Sequence, residues 1–189
     1  SLIIELKKLM PGLRVHGMGG QRMLNAGMEG IDSKEVSVVG IAEVAEKLPK
    51  LYRVFNELKR TLAAGKYDAV VLIDFPDFNL RFAKEAKRLG IPVVYYISPQ
   101  VWAWRKGRIN TIARLVKKML VVFPFEERLY RDAGVPVEYV GHPLADAVHC
   151  DSSVTEARHT IGAPEQSVVI SLLPGSRTAE VKRLFPAML

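Results

Sequence analysis

Three short stretches of this chain carry the residue types of an active site. Ile73-Asp74-Phe75-Pro76-Asp77-Phe78-Asn79 brings two carboxylates, Ser98-Pro99-Gln100-Val101-Trp102-Ala103-Trp104-Arg105 two indoles and a cation, and Leu172-Leu173-Pro174-Gly175-Ser176-Arg177 a Gly-Ser-Arg turn. Gly175 lets backbone amides approach a ligand, Ser176 can cap a helix, and Arg177 adds a bidentate donor, so the turn suits a phosphate at a helix N-terminus. Asp74 follows an apolar run, at the strand end where a general base belongs in an open α/β sheet, although a helix cap would use the same residue. Asp77 and Asn79 read as caps for the next helix. Of the two indoles, spaced to face opposite sides if extended, one is expected in the core and the other on a cleft. Trp104 and Arg105 are the candidate ligand contacts there. His142, in Gly141-His142-Pro143, follows another strand and fits a ligand contact or a structural hydrogen bond equally. The other histidines show no metal-ligand spacing, and Gly17-Met18-Gly19-Gly20 falls short of a dinucleotide fingerprint, so neither metal nor cofactor is expected.

Strand-like and helix-like runs alternate to position these residues. Strands are expected at Leu13 to Gly17, Asp68 to Phe75, Pro92 to Ile97, Met119 to Phe123, Val137 to Val140 and Ser167 to Leu173. Helices are expected near Arg22 to Ala26, Ile41 to Leu62 with a break at Pro49, Leu80 to Leu89, Ile109 to Val116 and Glu126 to Ala133. Continuous Val/Ile-rich runs between helices predict a doubly wound α/β domain with a parallel sheet. The polar stretch 151–166 reads as a linker with a short helix inside.

With 49% hydrophobic and 25% charged residues in 189, the balance is that of a globular protein with a sizeable core. No apolar run reaches the roughly 18 residues of a bilayer span. The lone Cys150 reads as a surface thiol or small hydrophobe, and a reducing compartment fits. The net charge of +7 is unevenly distributed: no acid stands between Glu85 and Glu126, where Lys87, Arg88, Arg105, Lys106, Arg108, Arg114, Lys117 and Lys118 fall. Such a region attracts phosphates or an anionic membrane surface. Nucleic acid is the weaker partner, because the aromatics do not interleave with the cations. Val38, Val39, Ile41, Val44, Leu48 and Leu51 form an apolar stripe beside Lys47, Lys50 and Arg53. That pattern fits an interfacial helix, and ordinary packing on a sheet equally. Helical spacing from the first residues, and an unfinished helix at the last, predict an internal piece of a longer protein.

The motifs in order, Gly17-Met18-Gly19-Gly20-Gln21-Arg22-Met23, Val39-Gly40-Ile41-Ala42-Glu43-Val44, the Asp74 and Trp102 stretches, Gly141-His142-Pro143-Leu144-Ala145-Asp146 and the Arg177 turn, closely resemble the lipid-A-disaccharide synthase family. The resemblance implies a GT-B glycosyltransferase of two Rossmann-like domains. Residues 1–150 would form the acceptor-side domain, 151–166 the crossing, and 167–189 the start of the UDP-sugar domain. It implies inverting transfer from UDP-2,3-diacylglucosamine to 2,3-diacylglucosamine 1-phosphate at the cytoplasmic face of the inner membrane, and leaves a homodimer open. Asp74 matches the family's catalytic base, and Arg177 lies where the family holds the UDP phosphates. The family's Gly-Glu-Thr-Ser-Gly-Asp-type loop is expected before Ser1, and most of the nucleotide domain after Leu189. A UDP-sugar epimerase and a non-catalytic sugar-nucleotide-binding protein are the alternative readings on the same scaffold.

Overall fold

In a computed structural model, residues 2–35, 41–103, 107–145, 148–176 and 178–189 are described, with the side chains of 35 and 41–47 outside the description. The chain divides into a unit Ser1–Pro143 and a unit Leu144–Leu189.

Every strand pairing in the first unit is parallel. Strands β1 (Val15–Gly19) and β2 (Met28–Asp32) pair with each other, with Val15 opposite Met28 and Gly19 opposite Asp32. β3 (Val70–Ile73), β4 (Val93–Tyr96), β5 (Lys118–Val121) and β6 (Val137–Tyr139) form a second sheet in sequential order. Parallel neighbours need a crossover, and helices supply it: α4 (Pro76–Arg88), α5 (Arg108–Leu115) and α6 (Pro124–Asp132) each connect one strand to the next. This is the α/β arrangement that the alternating pattern predicts. Helices α1 (Leu2–Leu9), α2 (Gln21–Asn25) and the long α3 (Ile41–Ala64) precede the second sheet.

Burial alternates along the second sheet. Val70, Leu72, Val93, Tyr95, Met119 and Val121 are buried, and they share one core cluster with Ala83 and Ala86 of α4, Ile112 of α5 and Tyr130 of α6. The alanines let α4 approach the strands closely. On the opposite face Ile73, Val94, Tyr96 and Leu120 are half-buried and Val71 is exposed.

Several boundaries differ from expectation. α3 runs through Pro49 without the expected break. Val54 and Leu62 are buried, and the Phe55 ring packs edge-on against Phe78 and Phe82, so tertiary packing fixes the helix beyond the proline. α4 begins at Pro76, four residues earlier than the pattern suggests, because proline at the first helical position has its φ already set. β2 has no counterpart among the expected strands.

In the second unit, α7 (Val154–Thr160) begins with a capping box between Ser153 and Glu156, which holds the Glu156 carboxyl below the usual carboxylate range. α8 (Thr178–Met188) follows the Gly-Ser-Arg turn. Residues 167–173, expected as a buried strand, form none: no strand pairs with them among the described residues, and Val168, Ile170 and Leu173 are exposed. A strand without a ladder leaves its backbone groups to water.

Candidate active site

The carboxyl edge of the second sheet is irregular. β3 exits through Asp74 (φ 48°) and Phe75 (φ 44°), both left-handed, and β4 through Ile97 (φ 64°). Left-handed backbone costs a non-glycine residue about 1–3 kcal/mol, and it persists only where the surroundings over-determine it. Here they do. The backbone N–H of Asp74 donates to the Tyr96 carbonyl at 3.4 Å, which extends the ladder one residue past β3. The Asp74 carbonyl accepts from the Asn79 amide at 2.5 Å and from the Tyr95 hydroxyl at 2.7 Å, and the same amide donates to the Ile73 carbonyl at 3.1 Å. Burial pushes the Tyr95 hydroxyl far above the usual phenol range, so it remains a donor. The Asp74 residue itself is exposed, at the end of an apolar strand and just before a helix N-terminus.

Neither Asp77 nor Asn79 caps α4. The N-cap position falls on Phe75, with no side-chain cap bond. Asp77 lies in the first turn and pairs with Arg108, which opens α5 and has only 15% of its side chain exposed. Asn79 turns inward, a buried role that its expected capping function did not anticipate.

The stretch after β4 is anchored differently. Ser98 is buried and its hydroxyl donates at 2.6 Å to Oε1 of Glu126, a side chain 1% exposed whose Oε2 has no partner among the described residues. Beyond it Val101 is buried while Trp102 faces outward, edge-on to Phe125 with ring centroids 5.3 Å apart. Phe125 stacks on Phe123, and Phe123 meets the half-buried His142 ring at 5.7 Å. An aromatic row therefore lines the ends of β4, β5 and β6, where ligands enter open α/β sheets. Of the expected contacts it includes His142. The sequence does not single out Tyr95, Glu126, Phe123 or Phe125 as site residues, and it offers Asn79 only as a cap. The only signals were an Asn inside a helical first turn and an isolated acid ending a long acid-free stretch.

Trp104, Arg105, Arg177, Val38 and Val39 lie outside the described residues, as do the side chains of Ile41 and Val44. Leu48 is exposed on α3, followed by Tyr52 at 70% exposure. In the second unit Gly175 takes φ 111°, and a Cβ there would stand 2.7 Å from the Glu180 carboxylate; Ser176 is exposed. Cys150 is an exposed free thiol. Lys84, Lys87 and Arg114 border a shallow groove between α4 and α5, which gives part of the acid-free region a location. Among the described residues no helix is long and apolar enough to cross a membrane.

Comparison with known proteins gives this edge a context. The family model for lipid-A-disaccharide synthetase matches residues 1–189. The chain is 51% identical over 190 residues to the lipid-A-disaccharide synthase of Syntrophus aciditrophicus, covering 100% of this chain and 50% of that protein. It is 50% identical over 190 residues to the one of Geobacter metallireducens, with the same coverage, and 45% identical over 189 residues to the one of Myxococcus xanthus, covering 100% and 49%. The chain spans about half the length of these curated relatives. With the match unbroken from first residue to last, the chain belongs to the lipid-A-disaccharide synthetase family.

Proposed function

We propose that the protein of which this chain forms about half is an inverting glycosyltransferase of lipid A synthesis, with Asp74 as its general base. The acceptor is 2,3-diacylglucosamine 1-phosphate and the donor UDP-2,3-diacylglucosamine. An acceptor hydroxyl oxygen attacks the donor's anomeric carbon, its proton passes to the Asp74 carboxylate, and the bond from that carbon to the diphosphate breaks, with the electron pair leaving on UDP. The observation that carries this reading is an exposed carboxylate on a strained strand-to-helix turn at the carboxyl edge of a parallel sheet. Family membership supports it.

Gly175, Ser176 and Arg177 hold the leaving diphosphate in this reading, since backbone amides, a hydroxyl and a guanidinium stabilise developing negative charge. Trp104, Arg105 and His142 contact substrate. Val38, Val39, Ile41, Val44 and Leu48 meet acyl chains or the cytoplasmic face of the inner membrane, and exposed Leu48 and Tyr52 favour that face of α3.

Asp74→Asn in the full-length enzyme is the test. Loss of a general base lowers turnover by roughly 100-fold or more while UDP affinity stays within about twofold. Turnover near that of the parent removes Asp74 from the role.

A further inference from the structure

The Asp74 turn is held by two groups for which catalysis has no direct use. Asn79 is buried within α4 and Tyr95 is fully buried in the middle of β4. Tyr95 has no exposed surface and Asn79 only 9%. Their polar atoms nevertheless converge on one carbonyl, that of Asp74, from two different elements. That carbonyl belongs to a residue with φ 48°, followed by one with φ 44°. An unconstrained chain would relax both into the ordinary regions, and the Asp74 side chain would swing with the backbone that carries it.

A buried phenol in an apolar cluster is a poor choice for stability alone, because phenylalanine fills nearly the same space without a polar atom to satisfy. Asn79 is equally out of place among Phe78, Leu80, Ala83 and Ala86 on the buried face of α4. The common target explains both. The arrangement resembles the sharp strand-turn-helix geometry by which other α/β enzymes present a reacting side chain above the sheet.

We propose that Asn79 and Tyr95 are positioning residues for Asp74: together they lock its backbone in the left-handed turn that aims the carboxylate out of the sheet edge. This rests on the reading of Asp74 as the general base. Effective proton transfer needs the base within hydrogen-bond reach of the acceptor hydroxyl, and a displacement of about 1 Å can cost on the order of a hundredfold in rate. Removing one pin leaves the carboxylate present but free to wander.

The experiment is a double-mutant cycle on the full-length enzyme with Tyr95→Phe and Asp74→Asn, measuring kcat, acceptor KM and UDP affinity. Tyr95→Phe removes one oxygen and keeps the ring. It is expected to lower kcat about tenfold with KM and UDP affinity unchanged, yet by less than about twofold when Asp74 is already Asn. Asn79→Leu gives a second cycle with the same expected pattern. Should Asn79→Leu fail to fold, the isosteric Tyr95→Phe cycle decides alone. An equal fold-loss in both backgrounds means that the hydroxyl serves the fold and not the base, and it overturns the proposal while leaving Asp74 its role. Unchanged kcat in Tyr95→Phe overturns it likewise. Near-normal turnover of Asp74→Asn by itself refutes the base assignment and takes the positioning role with it.

Discussion

Removing the Ser98 hydroxyl should cost far more than one hydrogen bond on an exposed serine. Ser98 is 6% exposed and supplies the donor to Glu126 Oε1, while Oε2 has none among the described residues. Ser98→Ala therefore leaves a buried carboxylate without its donor. Leaving a buried polar group unsatisfied costs roughly 1–3 kcal/mol and the lost hydrogen bond about 1 kcal/mol, so a loss of about 2–4 kcal/mol is expected. For a protein of this size the midpoint of thermal unfolding falls by roughly 5–15 °C. Glu126→Leu removes the carboxylate and its orphaned oxygen together and leaves only a serine hydroxyl unpaired, costing about 1–2 kcal/mol. The double substitution Ser98→Ala/Glu126→Leu leaves neither group and should lie within about 1 kcal/mol of the parent, less destabilised than Ser98→Ala alone. Urea unfolding followed by tryptophan emission is a suitable assay, because Trp102 follows Ser98 by only four residues. Additive effects, or a Ser98→Ala cost below about 0.5 kcal/mol, would show that the carboxylate gains nothing from the serine and refute the reasoning.

The Lys59 hydrogen bond, reinforced by Arg88 and opposed by desolvation, holds the Glu85 carboxyl below its ordinary value of 4.5. Because the unfolded chain then binds more protons in acid, this α3–α4 tie stabilises the fold above about pH 4.5 and is lost as pH falls through the native value. Glu85→Gln should accordingly flatten stability against pH in that acidic window in denaturant titrations, and an unaltered profile would contradict the linkage. Leu48→Ser with Tyr52→Ser, both exposed, should shift stability by no more than about 0.5 kcal/mol while lowering sedimentation with anionic liposomes; unchanged sedimentation removes this face from membrane contact. Gly175→Ala strains a backbone at φ 111° against Glu180 and should weaken UDP binding about tenfold by calorimetry, whereas unchanged affinity would exclude this turn from the nucleotide site.

The sequence pattern was sufficient for the alternation of strands and helices and for parallel pairing, because crossovers and buried strands leave local signatures. It could not say which face of the second sheet is sealed: a run such as Val70-Val71-Leu72-Ile73 reads the same on both sides, and only the packing of α4, α5 and α6 residues separates buried Leu72 from exposed Val71. The run 168–173 has a strand's composition, but composition supplies no neighbour to pair with. At the candidate site, the position of Asp74 at the end of β3 was legible from the apolar run before it. Asn79 and Tyr95 were not, since their roles depend on a carbonyl five and twenty-one residues away and on a left-handed turn that no residue type announces. Asn79 was misread as a cap for the same reason. Its composition suits a helix start, while the fold turns it inward.

The left-handed turn after β3 also has a consequence for anyone evolving this protein in the laboratory. Glycine adopts φ 48° without penalty, so Asp74→Gly would relieve strain and raise fold stability by up to about 1 kcal/mol, even as it deletes the carboxylate. Phe75 and Ile97 do not offer the same gain, because Phe75 stacks on Phe78 and Ile97 is half-buried, so glycine there would lose apolar packing. A library selected only for thermal resistance would drift toward glycine at position 74, enriching robust proteins that lack the proposed base. Thermostabilisation here has to be scored against function at every round, because durability and the proposed base compete for the same residue.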